Sequence, residues 1–133
     1  MASGGFLNAS FLVALGGGAG AWLRYAVGVV LGRMGAATAQ FPWSTLAVNI
    51  VGSLLMGLLA GWLARHGTGG EGWRLLLGVG VLGGFTTFSA FSLELALMIE
   101  RGALTAAAAY VTISVLAGVA ALFAGLALMR AVA

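Results

Sequence analysis

The third of four long apolar stretches is interrupted at its centre by residues 83–91, GGFTTFSAF. Two glycines and three hydroxyl side chains within this stretch disfavour a continuous membrane helix. Hydrocarbon offers no water to a backbone group whose helical partner is lost, so an interrupted helix is stable only against protein or a water-filled cavity. In transporters and channels, such interruptions expose backbone carbonyls and helix ends to ions. The stretch therefore predicts a broken membrane helix close to an ion site.

Composition places the rest of the chain in a membrane as well. The sequence is 62% hydrophobic and 7% charged, and it contains no Lys, Asp or Cys. Soluble domains carry about 25% charged residues, so this chain has too few to cover a surface that faces water. Its arginines form no cluster that would bind nucleic acid. With one His and no Cys or Asp, it also lacks a nucleophile and base pair, so we expect no enzyme.

Four stretches are long enough to cross a bilayer, which takes about 20 mostly apolar residues of helix. They cover residues 6–31, 44–64, 73–99 and 103–129. No basic region precedes the first apolar run, so we expect this span to remain in the mature protein. The sequence therefore predicts an all-α, multi-pass protein of the cell membrane. We expect one four-helix domain over residues 1–133, with the third helix broken at its centre.

The arginines define no preferred orientation in the membrane. Three fall on the side of the N-terminus if the spans alternate, and three fall on the other side. The first set is Arg65, Arg74 and Arg130, and the second is Arg24, Arg33 and Arg101. Orientation normally follows an excess of positive charge on the cytoplasmic side. We therefore expect dual topology and an antiparallel homodimer, with a two-fold axis in the membrane plane.

Pairs of glycines four residues apart recur along the spans. Small residues at this spacing let membrane helices approach closely. The pairs are Gly16/Gly20, Gly28/Gly32, Gly57/Gly61 and Gly80/Gly84. We expect most of them to pack helices inside one subunit and some to serve the dimer interface.

The polar side chains inside the spans are predicted to lie at one depth. A helical rise of about 1.5 Å per residue places them in the leaflet opposite the N-terminus. The set, with two aromatic neighbours, is Arg24, Asn49, Phe88, Phe91, Glu94, Tyr110 and Ser114. An antiparallel partner would add an equal cluster in the other leaflet. The two clusters together would form a polar route across the bilayer.

Asn49 has two interpretations that its spacing does not separate. Thr45, Asn49 and Ser53 share one helix face. Such residues commonly join membrane helices through hydrogen bonds. The alternative is a pore-lining amide that donates to a passing anion. Tyr110 and Ser114 form a similar stripe on the fourth span, and their hydroxyl groups have the same two interpretations.

Phe88 and Phe91 lie three residues apart, just after the glycines of the interruption. Such a pair usually means core packing. Beside a broken helix and polar donors it also fits an anion site, because the edge of an aromatic ring is electropositive. The interruption would free carbonyls around Gly83 to Thr86, and carbonyls attract cations. We therefore expect an alkali cation where two such breaks meet on the dimer axis.

Arg24 and Glu94 are the only charges well inside the spans. Their similar depth predicts either an ion pair or two groups that face a wet vestibule, and intramembrane charges are often functional. Arg24 is flanked by Trp22 and Tyr25, so it also fits a side chain that reaches the interface. His66 stands alone in a glycine-rich loop, where we expect water around it.

Three motifs resemble the small fluoride channel family (Fluc, also called CrcB). The family pattern G-A-x-x-R-Y appears as GAWLRY at residues 20–25, and T-L-x-V-N-x-x-G appears as TLAVNIVG at residues 45–52. The signature G-G-x-T-T-F-S-T-F appears at residues 83–91 and is followed by Glu94. The motifs come in order and the resemblance covers nearly the whole chain. Two departures are Ala90, where the family has Thr, and Gly118, where a further hydroxyl is expected.

The resemblance implies a dual-topology antiparallel homodimer with two fluoride pores, which lets cytoplasmic fluoride leave the cell passively. It also implies a structural sodium ion at the dimer centre, held by the carbonyls of Gly83 and Thr86. Phe88 and Phe91 would form a phenylalanine box, and Arg24 and Glu94 a vestibule. The other pore or anion-binding residues that follow from it are Asn49, Thr87, Ser89, Tyr110 and Ser114.

Two other functions remain open at the level of sequence. A proton-coupled small multidrug exporter is also a four-span dual-topology dimer. Such exporters resemble one another in carrying a Glu in the first span, whereas Glu94, in the third span, is the only candidate here. A non-transporting assembly subunit would leave the broken helix unexplained. Flux through the purified protein alone separates this last function from both transporters.

Overall fold

Helices make up almost all of the described chain. The structure is a computed structural model that describes residues 2–36 and 41–132. The helices are α1 (Ala2–Leu31), α2 (Trp43–His66), α3 (residues 71–85), α4 (Phe88–Glu100) and α5 (Leu104–Ala131).

Four helical segments within those residues are long and apolar enough to cross a bilayer. They are Gly5–Met34, Trp43–His66, Glu71–Glu100 and Leu104–Ala131, with mean hydropathy between 1.4 and 2.3. The all-helical class and the four predicted spans are therefore confirmed, to within a few residues at each end. The third segment contains both α3 and α4.

Helix α3 has an irregular winding that the sequence did not predict. It begins with Glu71–Trp73, continues in wider π-type turns over Arg74–Leu82 and ends with Gly83–Phe85. The Gly83 N–H accordingly donates to the carbonyl of Gly78, five residues earlier. Wide turns of this kind are rare in proteins, and those that do occur often lie at functional sites.

A tight turn at Gly102 connects α4 to α5. Gly102 has φ of +74°, a conformation that favours glycine. Its N–H donates to the Ile99 carbonyl (2.9 Å), and the next N–H, of Ala103, donates to the Met98 carbonyl (2.9 Å). These two bonds form a Schellman motif, which satisfies carbonyls at the end of α4. The short connection makes α4 and α5 antiparallel neighbours.

Helix α2 packs closely along α5 through glycines. A Cβ atom at Gly57 would overlap the backbone carbonyl of Leu122, and one at Gly125 would overlap the backbone of α2. One turn further along α2, Gly61 lies against Met129. Since later residues of α2 meet later residues of α5, the two helices run parallel and end on the same side of the membrane.

Helix α1 packs in the same way on α3. A Cβ at Gly20 would overlap the carbonyl of Val81, and the backbones of Gly16 and Gly80 also touch. Gly28 belongs to another predicted pair but has open space beside it in the single chain. The expectation that most glycine pairs pack helices within one subunit is confirmed.

A buried apolar cluster lies where α2 and α5 begin and α4 ends. Its members are Leu46, Met98, Ala107 and Tyr110. Phe41, just ahead of α2, packs edge-on against the ring of Tyr110, with ring centroids 5.4 Å apart. This cluster holds α4 between α2 and α5, and it fixes the position of the polar side chains described next.

Candidate functional site

The backbone leaves the helical conformation at two residues between α3 and α4. Thr86 has φ −79° and ψ 159°, and Thr87 has φ −151° and ψ 120°, so both are extended. Thr87 also starts α4, since its Oγ1 accepts a hydrogen bond from the Ala90 N–H (3.2 Å). Threonine is a favoured residue at such an N-terminal cap. The hydroxyl-rich sequence thus supplies the local cap that lets a new helix begin inside the span.

Asn49 of α2 binds the backbone of this extended segment. Its Nδ2 donates to the Thr87 carbonyl (3.0 Å), and its Oδ1 accepts from the Thr87 N–H (2.8 Å). Both hydrogen-bonding groups of the Thr87 backbone are therefore satisfied by one amide. These contacts match the interpretation of Asn49 as a link between helices. A primary amide carries two N–H donors, so one remains available beyond this link.

The same link removes a helical partner from Gly83. In a continuous α-helix, the Thr87 N–H would donate to the Gly83 carbonyl, four residues earlier. Here the Thr87 N–H points to Asn49 Oδ1. Thr86 still keeps its helical bond, with its N–H donating to the Leu82 carbonyl (3.0 Å). The Gly83 carbonyl, on one of the two residues predicted to hold a cation, is therefore among those that lose their helical donor.

A cavity of about 270 Å³ opens beside the extended segment. Asn49 and Ser53 of α2 line one side, and Thr86, Thr87 and Phe88 line another. Ser53 Oγ donates to the carbonyl of Asn49 (2.7 Å). The cavity therefore brings the predicted amide, hydroxyl and aromatic groups together around the extended residues Thr86 and Thr87.

Glu94 is the centre of a second polar cluster. Its Oε1 accepts a hydrogen bond from Thr45 Oγ1 (2.6 Å), and its Oε2 accepts one from the Tyr110 hydroxyl (2.7 Å). Thr45 and Tyr110 are both buried, with 7% and 0% of their surfaces exposed. Three helices are thus joined through one carboxylate. Sequence spacing placed Thr45 in line with Asn49 but gave no sign that it binds Glu94.

The predicted ion pair between Arg24 and Glu94 is absent within the chain. The salt bridge found in the described residues is Arg74 to Glu71 (2.7 Å). Arg24 is carried by α1, which packs on α3, whereas Glu94 lies on α4 beside α5. Equal depth did not bring the two charges together, because their helices occupy different sides of the bundle. The other possibility, two groups facing a vestibule, stays a prediction.

Tyr110 and Ser114, the predicted stripe on the fourth span, differ in their hydrogen bonding. The Tyr110 hydroxyl is committed to Glu94. Ser114 Oγ is buried, and no partner for it lies within residues 2–36 and 41–132. A buried hydroxyl without a partner costs stability, so such groups usually have a further ligand or a functional reason. Of the two residues, Ser114 has the free donor.

Phe88 and Phe91 lie at the start of α4 with ring centroids 5.7 Å apart. Phe91 also packs on Tyr110, at 5.0 Å between centroids. Phe88, by contrast, is 80% exposed. Ser89 adds a hydroxyl group next to this pair, with its Oγ 3.3 Å from Thr87 Oγ1. One ring thus belongs to the core of the chain, and the other projects from it.

Comparison with known proteins identifies the family of the chain. The sequence profile described as CrcB-like protein, Camphor Resistance (CrcB), matches residues 11–126. A protein of Novosphingobium aromaticivorans is 60% identical over 127 residues, which are 96% of this chain and 100% of that protein. A protein of Phenylobacterium zucineum is 59% identical over 128 residues, which are 95% of this chain and 98% of that protein.

A third relative, from Caulobacter vibrioides, is 54% identical over 127 residues, which are 95% of this chain and 98% of that protein. All three are named Fluoride-specific ion channel FluC, a name that describes an ion channel and not an enzyme. This multi-pass membrane protein therefore belongs to the CrcB-like family of fluoride-specific ion channels.

Proposed function

We propose that this chain is a fluoride-selective channel that exports cytoplasmic fluoride passively, down its electrochemical gradient. The observation that carries the proposal is its 60% identity, over the full length of the relative, to a protein named as a fluoride-specific ion channel. The interruption at Thr86 and Thr87 and the cavity beside it support the same function. They supply what a small, strongly hydrated anion needs, which is a set of donors that replace its water.

The anion route in this proposal uses donors that the fold leaves free. Asn49 has a second amide N–H, and Ser114 has a buried hydroxyl without a partner in the described part of the chain. The edges of the Phe88 and Phe91 rings add positive partial charge without a counter-ion. The hydroxyl groups of Thr87 and Ser89 extend the route. A narrow passage lined in this way selects fluoride over the larger chloride ion.

The working unit in this proposal is an antiparallel homodimer with two pores. The even division of arginines between the two sides supports insertion in both orientations. Phe88 supports a partner, because it is 80% exposed in the single chain and borders the cavity beside the extended segment. A second copy, inverted in the membrane, would add its own polar cluster in the other leaflet. The two clusters together would complete a route that one chain begins.

The proposed sodium ion at the dimer centre would be held by the carbonyls of Gly83 and Thr86. Gly83 fits this role, because its helical partner, the Thr87 N–H, donates to Asn49 instead. Thr86 fits because its ψ of 159° turns its carbonyl away from the helical direction. Carbonyl oxygens are suitable ligands for an alkali cation. When bound, the ion would supply permanent positive charge close to the anion route.

Arg24 and Glu94 would face the vestibule in this proposal. Arg24 would raise the local concentration of anions by its charge. Glu94 would be held in position by its two hydroxyl partners, Thr45 and Tyr110, which bind its carboxylate oxygens. The proton-coupled exporter is not favoured. Exporters of that kind carry a Glu in their first span, and the first span of this chain contains none.

Halide efflux from liposomes tests the function. Purified protein is reconstituted with both halides inside, and fluoride and chloride electrodes record their release in parallel. We expect fast loss of fluoride, retention of chloride and no need for a proton gradient. Efflux that depends on a proton gradient would favour the exporter. A folded protein that releases no halide would contradict the proposal and favour a non-transporting subunit.

A further inference from the structure

A second cavity, of about 380 Å³, lies away from the polar clusters. It is bounded by the last turns of α2 and α5 and the first turns of α3. We call it the Trp62–Trp73 groove. Its lining residues are Leu58, Leu59, Trp62, Trp73, Leu77 and Met129. All six side chains are apolar or aromatic, so the groove suits hydrocarbon and not an ion.

The groove reaches the level where the bilayer meets water. Trp62 lies one turn before the end of α2 at His66, and Trp73 lies two residues after the start of α3. Tryptophan favours this boundary because its ring is amphipathic. The Trp62 ring is stacked on the ring of His66, with centroids 4.0 Å apart. An occupant with an apolar tail and a polar head would therefore place its head at this end of the groove.

The same end of the bundle carries two exposed positive charges. Helices α2 and α5 run parallel and are in contact where Gly61 meets Met129. Arg65 lies one turn beyond Gly61, and Arg130 follows Met129 directly, so both lie near the mouth of the groove. Both side chains are exposed.

Acidic side chains do not cancel these two charges. The acidic residue on this side is Glu71, and both of its oxygens are bound by Arg74, at 2.8 and 2.7 Å. Glu94 lies midway along α4 and Glu100 is the last residue of that helix, so both are far along the third span from Trp73. The mouth of the groove therefore keeps a net positive charge.

We propose that the Trp62–Trp73 groove holds an acyl chain of an anionic phospholipid and that Arg65 and Arg130 bind its headgroup. Inside a bilayer, apolar burial alone does not distinguish one lipid from another, because the surrounding tails are equally apolar. The selectivity comes from the charge at the mouth, which attracts anionic headgroups. This inference does not depend on which ion the protein carries. It can fail while the proposed function holds, and the proposed function can fail while it holds.

Tryptophan quenching by brominated lipids tests the proposal directly. One version of the protein keeps Trp62 and Trp73 and carries Trp22→Phe and Trp43→Phe. The matched control keeps the other two tryptophans and carries Trp62→Phe and Trp73→Phe. Each is reconstituted in phosphatidylcholine with a minority of phosphatidylglycerol, and the bromine is placed on the chains of one lipid or the other. The readout is the quenching that each brominated lipid causes at equal mole fraction.

We expect brominated phosphatidylglycerol to quench the first version several times more strongly than brominated phosphatidylcholine, and the control to show no such preference. Removing the charges with Arg65→Gln and Arg130→Gln should abolish the preference, because each arginine near the membrane surface attracts anionic lipid. Arg33→Gln with Arg101→Gln removes the same charge at the other end and should leave it unchanged. If the double variant fails to fold, Arg130→Gln alone, in the last turn of α5, carries the test.

Two outcomes would overturn the proposal. Equal quenching by the two lipids would mean that the groove does not select an anionic headgroup. No quenching of Trp62 and Trp73 by either lipid would mean that protein, such as a second copy of the chain, covers the groove.

Discussion

Two regions of the bundle are held together by different kinds of contact. In the first, which we call the polar half, side-chain hydrogen bonds join the helices. Asn49 binds the backbone at Thr87, and Glu94 binds Thr45 and Tyr110. Each link needs one particular donor and one particular acceptor. A substitution that removes one donor or one acceptor can therefore leave a buried polar group without a partner, which costs about 1–3 kcal/mol.

In the second region, which we call the glycine-packed half, backbones touch directly. Gly20 lies against the carbonyl of Val81, and Gly57 lies against that of Leu122. Lipid tails are as apolar as the helix surfaces, so association of membrane helices depends on close van der Waals contact. These glycines allow such contact without any polar side chain. Tight glycine packing thus provides a frame, and this frame holds a polar half whose groups are committed to specific partners. Four substitutions test this division, from the largest expected effect to the smallest.

Replacement of Asn49 by Asp should abolish transport. The carboxylate would present an acceptor to the Thr87 carbonyl, where Nδ2 now donates, and it would also repel an anion. We expect fluoride efflux to fall at least about a hundredfold, which corresponds to about 3 kcal/mol in the barrier. Asn8→Asp, at an exposed position of α1, is the matched control. Wild-type flux in Asn49→Asp would show that Asn49 neither faces the anion nor holds the interruption.

Replacement of Gly57 by Ala should destabilise the glycine-packed half. The added methyl group would overlap the Leu122 carbonyl, and backbone cannot move aside as a side chain can. Overpacking of this kind costs about 1–3 kcal/mol, which thermal unfolding in detergent would detect. Gly18→Ala, with nothing within 4 Å of the new methyl, is the control and should not lower stability. Equal stability of both variants would mean that α2 and α5 are not so closely packed.

Replacement of Thr45 by Val should weaken the polar half by a smaller amount. It removes one of the two donors to Glu94 at nearly constant volume. We expect a loss of about 1 kcal/mol in the free energy of unfolding. Tyr110→Phe removes the other donor, and the double variant should lose more than the sum, since Glu94 would then be left without either hydroxyl. Additive losses would argue that the two bonds act independently.

Replacement of Phe88 by Ile should separate transport from stability. Phe88 is 80% exposed, so we expect almost no change in the stability of the chain but a severalfold loss of fluoride flux. Phe91→Ile is the matched comparison, because Phe91 packs on Tyr110 and its loss should also cost about 0.5–1.5 kcal/mol of stability. Normal flux in both variants would rule out a role for the ring edges.

Several features of the site could be predicted from sequence, and others could not. The departure from helix at Thr86 and Thr87 lies inside the stretch 83–91 in which the sequence predicted an interruption. Glycine alone did not indicate it, because α1 stays helical through Gly16, Gly17 and Gly18. Of the two alternatives for Arg24 and Glu94, the ion pair does not form within the described chain, because similar depth does not imply contact, and the shared vestibule stays a prediction. The π-type turns of α3 were not predicted at all, since Arg74–Leu82 has an ordinary apolar composition.

The sequence by itself determined the four spans, because bilayer thickness dictates how many apolar residues a helix needs. It also predicted a shared depth for Asn49, Glu94 and Tyr110, because rise per residue is constant along a helix. Only the tertiary structure decided which side chains meet at that depth. Contact depends on how each helix is rotated and on which neighbour it packs against, and close approach at glycines such as Gly20 and Gly57 decides both.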